Sequence, residues 1–335
     1  MGIFKHEHVQ GLIPSATQLQ DYKTTEQIFY NRMPKCGSTT MMALLKIVAK
    51  KNRWTYQYEV KLVANLTAKS TEPWIGDEQT LTKLIHLIMD HEKPMMASCH
   101  LYYTDFARFW SDQRLPTYIN IIRNPQERLI SFYYFIRFFP NHQRPMSDAK
   151  RNMSYDECVR QNDDECTGAH PKGYWTLIPY FCGHDPVCRK PSQAALEQAK
   201  ANVMRSYAVV GITEDIDSFT QVLEQTIPKY FKGLAAEYRR LKKAGRNKAY
   251  SNARRKVKPK PETLEKMRPL LKLENEFYEF VKNRFYNQRS TINQNTLRDL
   301  QQSLPKRSSS LNCSIQSRPT YDGLAPWHQN LKWGP

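Results

Sequence analysis

Short apolar runs alternate along the chain with longer stretches whose apolar positions recur every three or four residues. QIFYN (27–31) is the first short run, and a helical pattern follows from Ser38 to about Lys50. WTYQYEV (54–60) predicts a second strand, and DEQTLTKLIHLIMDHE (77–92), acidic at its start, predicts a helix. PMMASCHLYY (94–103) and PTYINIIRNP (116–125) are β-rich runs bounded by turn residues, and QERLISFYYFIRFF (126–139) predicts a buried helix. SQAALEQAKANVMRSY (192–207), AVVGIT (208–213) and EDIDSFTQVLEQTI (214–227) read as helix, strand and helix. PETLEKMRPLLKLENEFYEFVKNRF (261–285) reads as one long amphipathic helix. Strands separated by helices, with connections too long for hairpins, give an α/β fold with a mostly parallel sheet flanked by helices. Residues 1–24 read as a polar arm, 25–287 as the folded domain, and 288–335, rich in Gln, Ser, Asn and Pro, as a loosely ordered tail.

Charge and cysteines change the picture more than overall composition does. A formal charge of +18 over 335 residues calls for a polyanionic partner: nucleic acid, an anionic membrane surface or an acidic polysaccharide. No stretch approaches the roughly 20 apolar residues of a membrane span, and the N-terminus has no signal-peptide core. The expectation is a cytosolic protein or a sequence without its targeting segment. Four of the seven cysteines sit as two tight pairs, Cys158 with Cys166 and Cys182 with Cys188, among Asp, Asn, Gly and Pro. Small disulfide-closed loops in an oxidising compartment are the favoured reading. Zinc held by Cys182, His184, Cys188 and one more ligand is the alternative, although the spacing matches no common zinc module. Sequons at Asn65, Asn152 and Asn312 fit a secretory-pathway protein. Cys36 and Cys99 read as buried free thiols.

Three stretches carry candidate chemistry. IFYNRMPKCGSTTMMALL (28–45) runs a strand into Lys35, Cys36, Gly37, Ser38, Thr39 and Thr40 and then into a helix, a joint that cradles anions on backbone N–H groups. It is not a Walker A loop, since Lys35 precedes Gly37 and no GK[ST] is present. An ordinary Ser-capped helix is the plainer reading. YINIIRNPQERLISFYYF (118–135) places Arg123 at a strand end and Ser131 eight residues on, both able to grip a phosphate. Two such cradles on one sheet suit a nucleoside with phosphates at both ends. Finally, Arg239 to Lys260 holds eleven Lys or Arg and no acid in 22 residues, which reads as an anion-binding segment or a solvated basic loop.

These residues resemble a known family. YNRMPKCGSTT resembles the 5′-phosphosulfate loop, and INIIRNPQERLISFYYF the 3′-phosphate segment, of the Golgi polysaccharide 2-O-sulfotransferases, the group of the heparan sulfate and uronyl enzymes and the insect Pipe proteins. HLYYTDFARF, IPYFCGHDPVC, VGITEDIDSF, YFKG and ENEFYEF follow in the family's order, covering about residues 26–285. KCGS and IPYFCG are closer to the uronyl enzyme. The resemblance implies a P-loop-like sulfotransferase fold that uses 3′-phosphoadenosine 5′-phosphosulfate and no metal. It implies a glycosaminoglycan acceptor rather than nucleic acid, a Golgi-lumenal location and a homotrimer. The family's N-terminal membrane helix is not found in this sequence. Lys35 resembles the lysine on the transferred sulfate, and Cys36 to Thr40 the phosphate loop. Arg123 and Ser131 resemble the 3′-phosphate grip, Arg32 and Arg144 the arginines on the acidic sugar, and His100 the catalytic histidine. The cysteine pairs match the family's disulfide spacings, and residues 246–257 align with a cofactor-covering loop. Asn124 replaces a common aspartate, and Ser98 stands where the heparan enzyme has a histidine.

The implied chemistry suits the residue types. Sulfuryl transfer to a sugar hydroxyl needs a base, a cation for the bridging oxygen and a cradle that holds the donor in line. His100, with an unperturbed pKa of about 6.5, suits the first and Lys35 the second. A core histidine is the plainer reading of His100. The expected substrate is the 2-hydroxyl of a uronic acid. The alternatives are the same chemistry on a glycoprotein glycan, a non-catalytic polyanion-binding protein, and a cytosolic nucleotide kinase, which would lack its GK[ST] lysine.

Overall fold

The computed structural model describes residues 22–58, 75, 77–110, 115–138, 146–167, 176–245 and 256–303. Five strands form one sheet: β1 (Gln27–Asn31), β2 (Thr55–Tyr58), β3 (Met95–Cys99), β4 (Thr117–Ile122) and β5 (Tyr207–Ile212). Their order is β2-β3-β1-β4-β5, and every pairing is parallel. Strands β1 and β3 are buried along their whole length, as a sheet covered on both faces requires. The chain leaves β1 toward β2 on one side and leaves β4 toward β5 on the other. That divergence opens a crevice beyond the carboxyl ends of β1 and β4, the usual ligand position in such sheets.

The helices in chain order begin with α1 (Ser38–Asn52), α2 (Glu78–Met89) and α3 (Pro125–Phe138). Three short ones follow, α4 (Asp148–Asn152), α5 (Tyr155–Arg160) and α6 (Asp164–Thr167), then α7 (Leu177–Cys182), α8 (Gln193–Ser206), α9 (Ile216–Thr226) and α10 (Pro228–Phe231). The last are α11 (Leu234–Lys243), α12 (Pro261–Met267) and α13 (Lys272–Ser303). Apolar residues of α1, Met41, Leu44, Leu45 and Val48, are fully buried against the sheet. Gln27 Nε2 donates to Ile88 O at 2.9 Å and ties α2 to β1. Phe29 stands edge-on to Phe106 and Tyr118 at centroid distances of 5.5 and 5.3 Å, and deleting that buried ring would cost about 3–5 kcal/mol. Gly211 lets Phe219 pack directly on β5, since a Cβ there would lie 2.2 Å from the ring. A second apolar cluster joins α3 to α5, α6 and the segment around Met267 and Leu271.

Two expectations are corrected. The long helix of 261–285 is two helices, because Pro269 supplies no N–H and the chain turns between Met267 and Lys272. The polar tail does not begin at Gln288: α13 runs on through Ser303. Arg284 Nη2 and Gln288 Nε2 donate to the carbonyls of Tyr207 and Ala208 at 2.8 and 3.0 Å, so this polar helix covers the open edge of β5. The chain divides into two compact units, Met1–Asn293 and Gln294–Pro335, and the described part of the second is the last turns of α13. The start of the basic stretch, Arg239 to Lys243, lies on α11, whose other face buries Leu234, Tyr238 and Leu241. Arg144, Asn65, Asn312 and residues 246–255 lie outside the described residues. No described helix is long and apolar enough to cross a membrane.

Candidate active site

Neighbouring strands deliver their next residues to one edge of the sheet. Asn31 pairs with Cys99, so Arg32 leaves β1 beside His100 leaving β3. Arg32 N donates to Cys99 O at 2.8 Å, and His100 Nδ1 lies 2.7 Å from Arg32 O. A carbonyl can only accept, so Nδ1 carries the proton. In the neutral ring the lone pair is then on Nε2, the tautomer a general base needs. His100 is half-buried, where a core histidine would be fully enclosed. Ser98, one residue before the end of β3, is buried and shares a 3.0 Å hydrogen bond with Tyr56 Oη.

The loop after β1 holds an unusual backbone. Lys35 has φ 66° and Gly37 φ 70°, both left-handed. Glycine is required at 37, where a Cβ would also come within 3.2 Å of Thr213 Cγ2. Lysine at 35 has no such licence and carries strain of the kind that clusters at working loops. Lys35 Nζ sits 4.0 Å above the Phe135 ring. Burial, helped by the charge of Arg123 and opposed by Cys36, lowers the Lys35 pKa to about 8. It therefore stays a cation at neutral pH but can lose its proton in mild alkali. Cys36 is fully buried, and burial pushes its thiol up to about 12, so its contribution is backbone rather than thiolate.

Gly37 leads into α1 with no side-chain cap. Ser38 and Thr40 are half-buried and Thr39 is exposed in its first turn. Five other helices begin with a side-chain cap, Asp77, Ser147, Ser154, Ser192 and Asp215 on α2, α4, α5, α8 and α9, while α10 and α12 have none and begin with a proline. Two uncapped helices borrow a carboxylate, Glu224 on Gly233 N and Ala235 N of α11, and Glu274 on Leu177 N and Ile178 N of α7. Among the described residues no acid does this for α1. Its first N–H groups have no side-chain cap, and the helix dipole there favours negative charge.

Arg123 follows β4, and its Nη2 donates to Glu127 Oε2 at 3.0 Å. Lys256 Nζ donates to the same oxygen at 2.8 Å. Partial burial would raise the Glu127 carboxyl, but the Lys256 hydrogen bond and charge and the Arg123 guanidinium outweigh it and hold the group below the usual range. Ser131 lies one turn beyond Glu127 on the same helix face. Asn124 does the capping that an aspartate would: its Oδ1 accepts from Glu127 N at 3.2 Å, while its own N donates to Glu214 Oε1 at 2.9 Å.

The remaining expected residues divide. Arg32 is 3% exposed, with Nη1 2.8 Å from Met42 Sδ, and its carbonyl is what orients His100. Cys158–Cys166 and Cys182–Cys188 are bonded pairs, which removes the zinc reading of Cys182 and Cys188. His184 instead accepts from Ile75 N and pairs with Thr104 Oγ1. Asn152 is exposed at the end of α4, and Cys36 and Cys99 are buried free thiols. Sequence reasoning missed Glu127 as a partner of Arg123, although their i,i+4 spacing on a helix start signalled it. It also missed Glu274, which lies 97 residues from the N–H groups it caps.

Similarity to known proteins agrees with this geometry. The chain is 35% identical over 263 residues to heparan sulfate 2-O-sulfotransferase 1 of Mus musculus, covering 77% of this chain and 70% of that protein. It is also 35% identical over 276 residues to uronyl 2-sulfotransferase of Homo sapiens, covering 78% of this chain and 62% of that protein. The human heparan sulfate 2-O-sulfotransferase 1 is 33% identical. Overall identity thus does not choose between the heparan and uronyl enzymes. Residues 20–281 match the Sulfotransferase family, and the chain belongs to that family.

Proposed function

We propose that the protein transfers a sulfuryl group from 3′-phosphoadenosine 5′-phosphosulfate to the 2-hydroxyl of a uronic acid in a glycosaminoglycan. The observation that carries the reading is a strand–loop–helix in which the left-handed Lys35 leads into an uncapped helix start, while His100, at the end of the adjacent strand, is hydrogen-bonded through Nδ1 to the Arg32 carbonyl of the same loop. The donor fits these residues: the α1 N-terminus is uncapped, and the left-handed turn at Gly37 that leads into it is a glycine position where a Cβ would press on Thr213. When bound, the donor supplies an activated sulfuryl group on a phosphate. Residues 36–40 hold its 5′ end, and Arg123 and Ser131 its 3′-phosphate. His100 Nε2 takes the proton of the acceptor hydroxyl as that oxygen bonds to sulfur. Lys35 stabilises the charge that collects on the bridging oxygen as the sulfur–oxygen bond to phosphate breaks. Arg32 and Arg144 are the acceptor-side cations of this reading, and for Arg32 the role requires its buried guanidinium to leave Met42 for the acidic sugar.

The two disulfides and the exposed Asn152 sequon support a lumenal, oxidising location, the Golgi by resemblance. A trimer rests on resemblance as well. The test is transfer of labelled sulfate to heparan, dermatan and chondroitin acceptors, with disaccharide analysis of the products. Label on uronate 2-oxygen is expected. Label confined to hexosamine, to a glycoprotein glycan, or absent despite tight polyanion binding overturns the reading.

A further inference from the structure

Beneath the donor loop lies a charge that the mechanism above does not use. Arg128 of α3 is 1% exposed. Its Nη1 donates to the carbonyl of Pro34, the residue before Lys35, at 3.2 Å, and its buried Nη2 has no hydrogen-bond partner among the described residues. No carboxylate among the described residues forms an ion pair with it. The acidic groups it senses are Cys36, Glu274, Tyr180 and Tyr102. Burial pushes Cys36 up to about 12, Tyr180 well above its usual value, and Glu274 up to about 7. Glu274 also spends both oxygens on Leu177 N and Ile178 N. An arginine does not give up its proton, so the loop rests on a buried positive charge that is only weakly balanced.

A buried charge in this state is normally a burden. We propose that Arg128 is a positioning residue for donor binding: it pins the Pro34 carbonyl that sets the left-handed turn at Lys35, and its unbalanced charge is met by the donor's 5′-phosphate. The inference rests on the donor site proposed above. It assigns Arg128 no contact with the donor, since its guanidinium is enclosed under the loop. It predicts a trade: the ligand-free protein bears the charge, and the complex recovers the cost.

The experiment compares wild type, Arg128→Met and Arg128→Lys by thermal unfolding with and without adenosine 3′,5′-bisphosphate, together with its Kd by calorimetry. Arg128→Met should unfold at the same temperature as wild type or higher without ligand. Its Kd should rise on the order of tenfold, with a smaller ligand-induced gain in Tm. Arg128→Lys, which keeps the charge, should recover most of the affinity. The inference is overturned if Arg128→Met fails to fold, or if it loses Tm while its Kd is unchanged, because either outcome marks a packing role. Failure of wild type to bind the nucleotide would instead overturn the donor site, and wild-type binding with an unaffected Arg128→Met would overturn this inference alone.

Discussion

Helices α1 and α7 both begin without a side-chain cap of their own, and the molecule finishes them in opposite ways. At α7 a fully buried glutamate, Glu274, crosses from α13 and accepts from Leu177 N and Ile178 N. Burial holds that carboxyl up at about 7, against the two N–H bonds and the Arg128 charge that pull it down. At α1 no acid arrives among the described residues; a lysine stands before the helix in a left-handed conformation, and an arginine lies beneath. The first arrangement closes a helix end with protein. The second leaves one open, under strain and with surplus positive charge. On the function proposed above, the difference separates a helix end that serves stability from one that serves an anionic ligand.

Substitutions can break that contrast. Lys35→Ala should lower turnover by about 10²–10³-fold while the protein stays folded, measured as labelled sulfate transfer beside a thermal melt. Retention of a tenth of wild-type turnover would remove Lys35 from the chemistry. His100→Ala should cut kcat by about 10²-fold or more and leave donor and acceptor Kd near wild type, since the base acts only in the transition state. A defect confined to acceptor binding would place the base elsewhere.

At the closed end the expected effect is on stability instead. Glu274→Gln leaves an N–H facing an amide NH₂ and should cost about 1–3 kcal/mol by denaturant unfolding. The sign of its pH dependence follows from the raised carboxyl. The folded state holds the Glu274 proton more tightly than the unfolded state, so this contribution is full below about 4.3 and is lost as pH rises toward about 7. The advantage of wild type over Glu274→Gln should therefore shrink across that window. A constant difference would mean that folding leaves the Glu274 pKa unchanged.

The smallest effect sharpens the open end. With the free Lys35 near 8, a bound phosphate must restore its proton in alkali. The Kd for adenosine 3′,5′-bisphosphate should rise above pH 8 by at most about tenfold per pH unit, and Lys35→Arg should abolish that limb. A flat profile in wild type would show that Lys35 does not meet the phosphate.

Much of this was legible in the sequence because it is local. The strand–loop–helix from Gln27 to Asn52, the strand before Arg123 and the Gly37 turn are set by neighbouring residues, and periodicity and turn chemistry report them. The same motifs carried the family resemblance. What periodicity cannot report is a partner from a distant segment: Glu274 on α7, or Glu214 on Asn124 N, 90 residues away. The polar composition after Gln288 misled for a related reason, since Arg284 and Gln288 of α13 are used on the β5 carbonyls rather than in an apolar core. Pro269 breaks the helix, although apolar spacing continues on both sides of it.

The central claim is that the open start of α1 receives the donor's 5′ end. A crystal structure of the complex with adenosine 3′,5′-bisphosphate tests it most directly. The account predicts the 5′-phosphate on the backbone N–H groups of residues 36–40 with Lys35 Nζ in contact, and the 3′-phosphate on Arg123 and Ser131. A nucleotide whose 5′-phosphate lies away from the α1 N-terminus, with Lys35 still over Phe135, would contradict it.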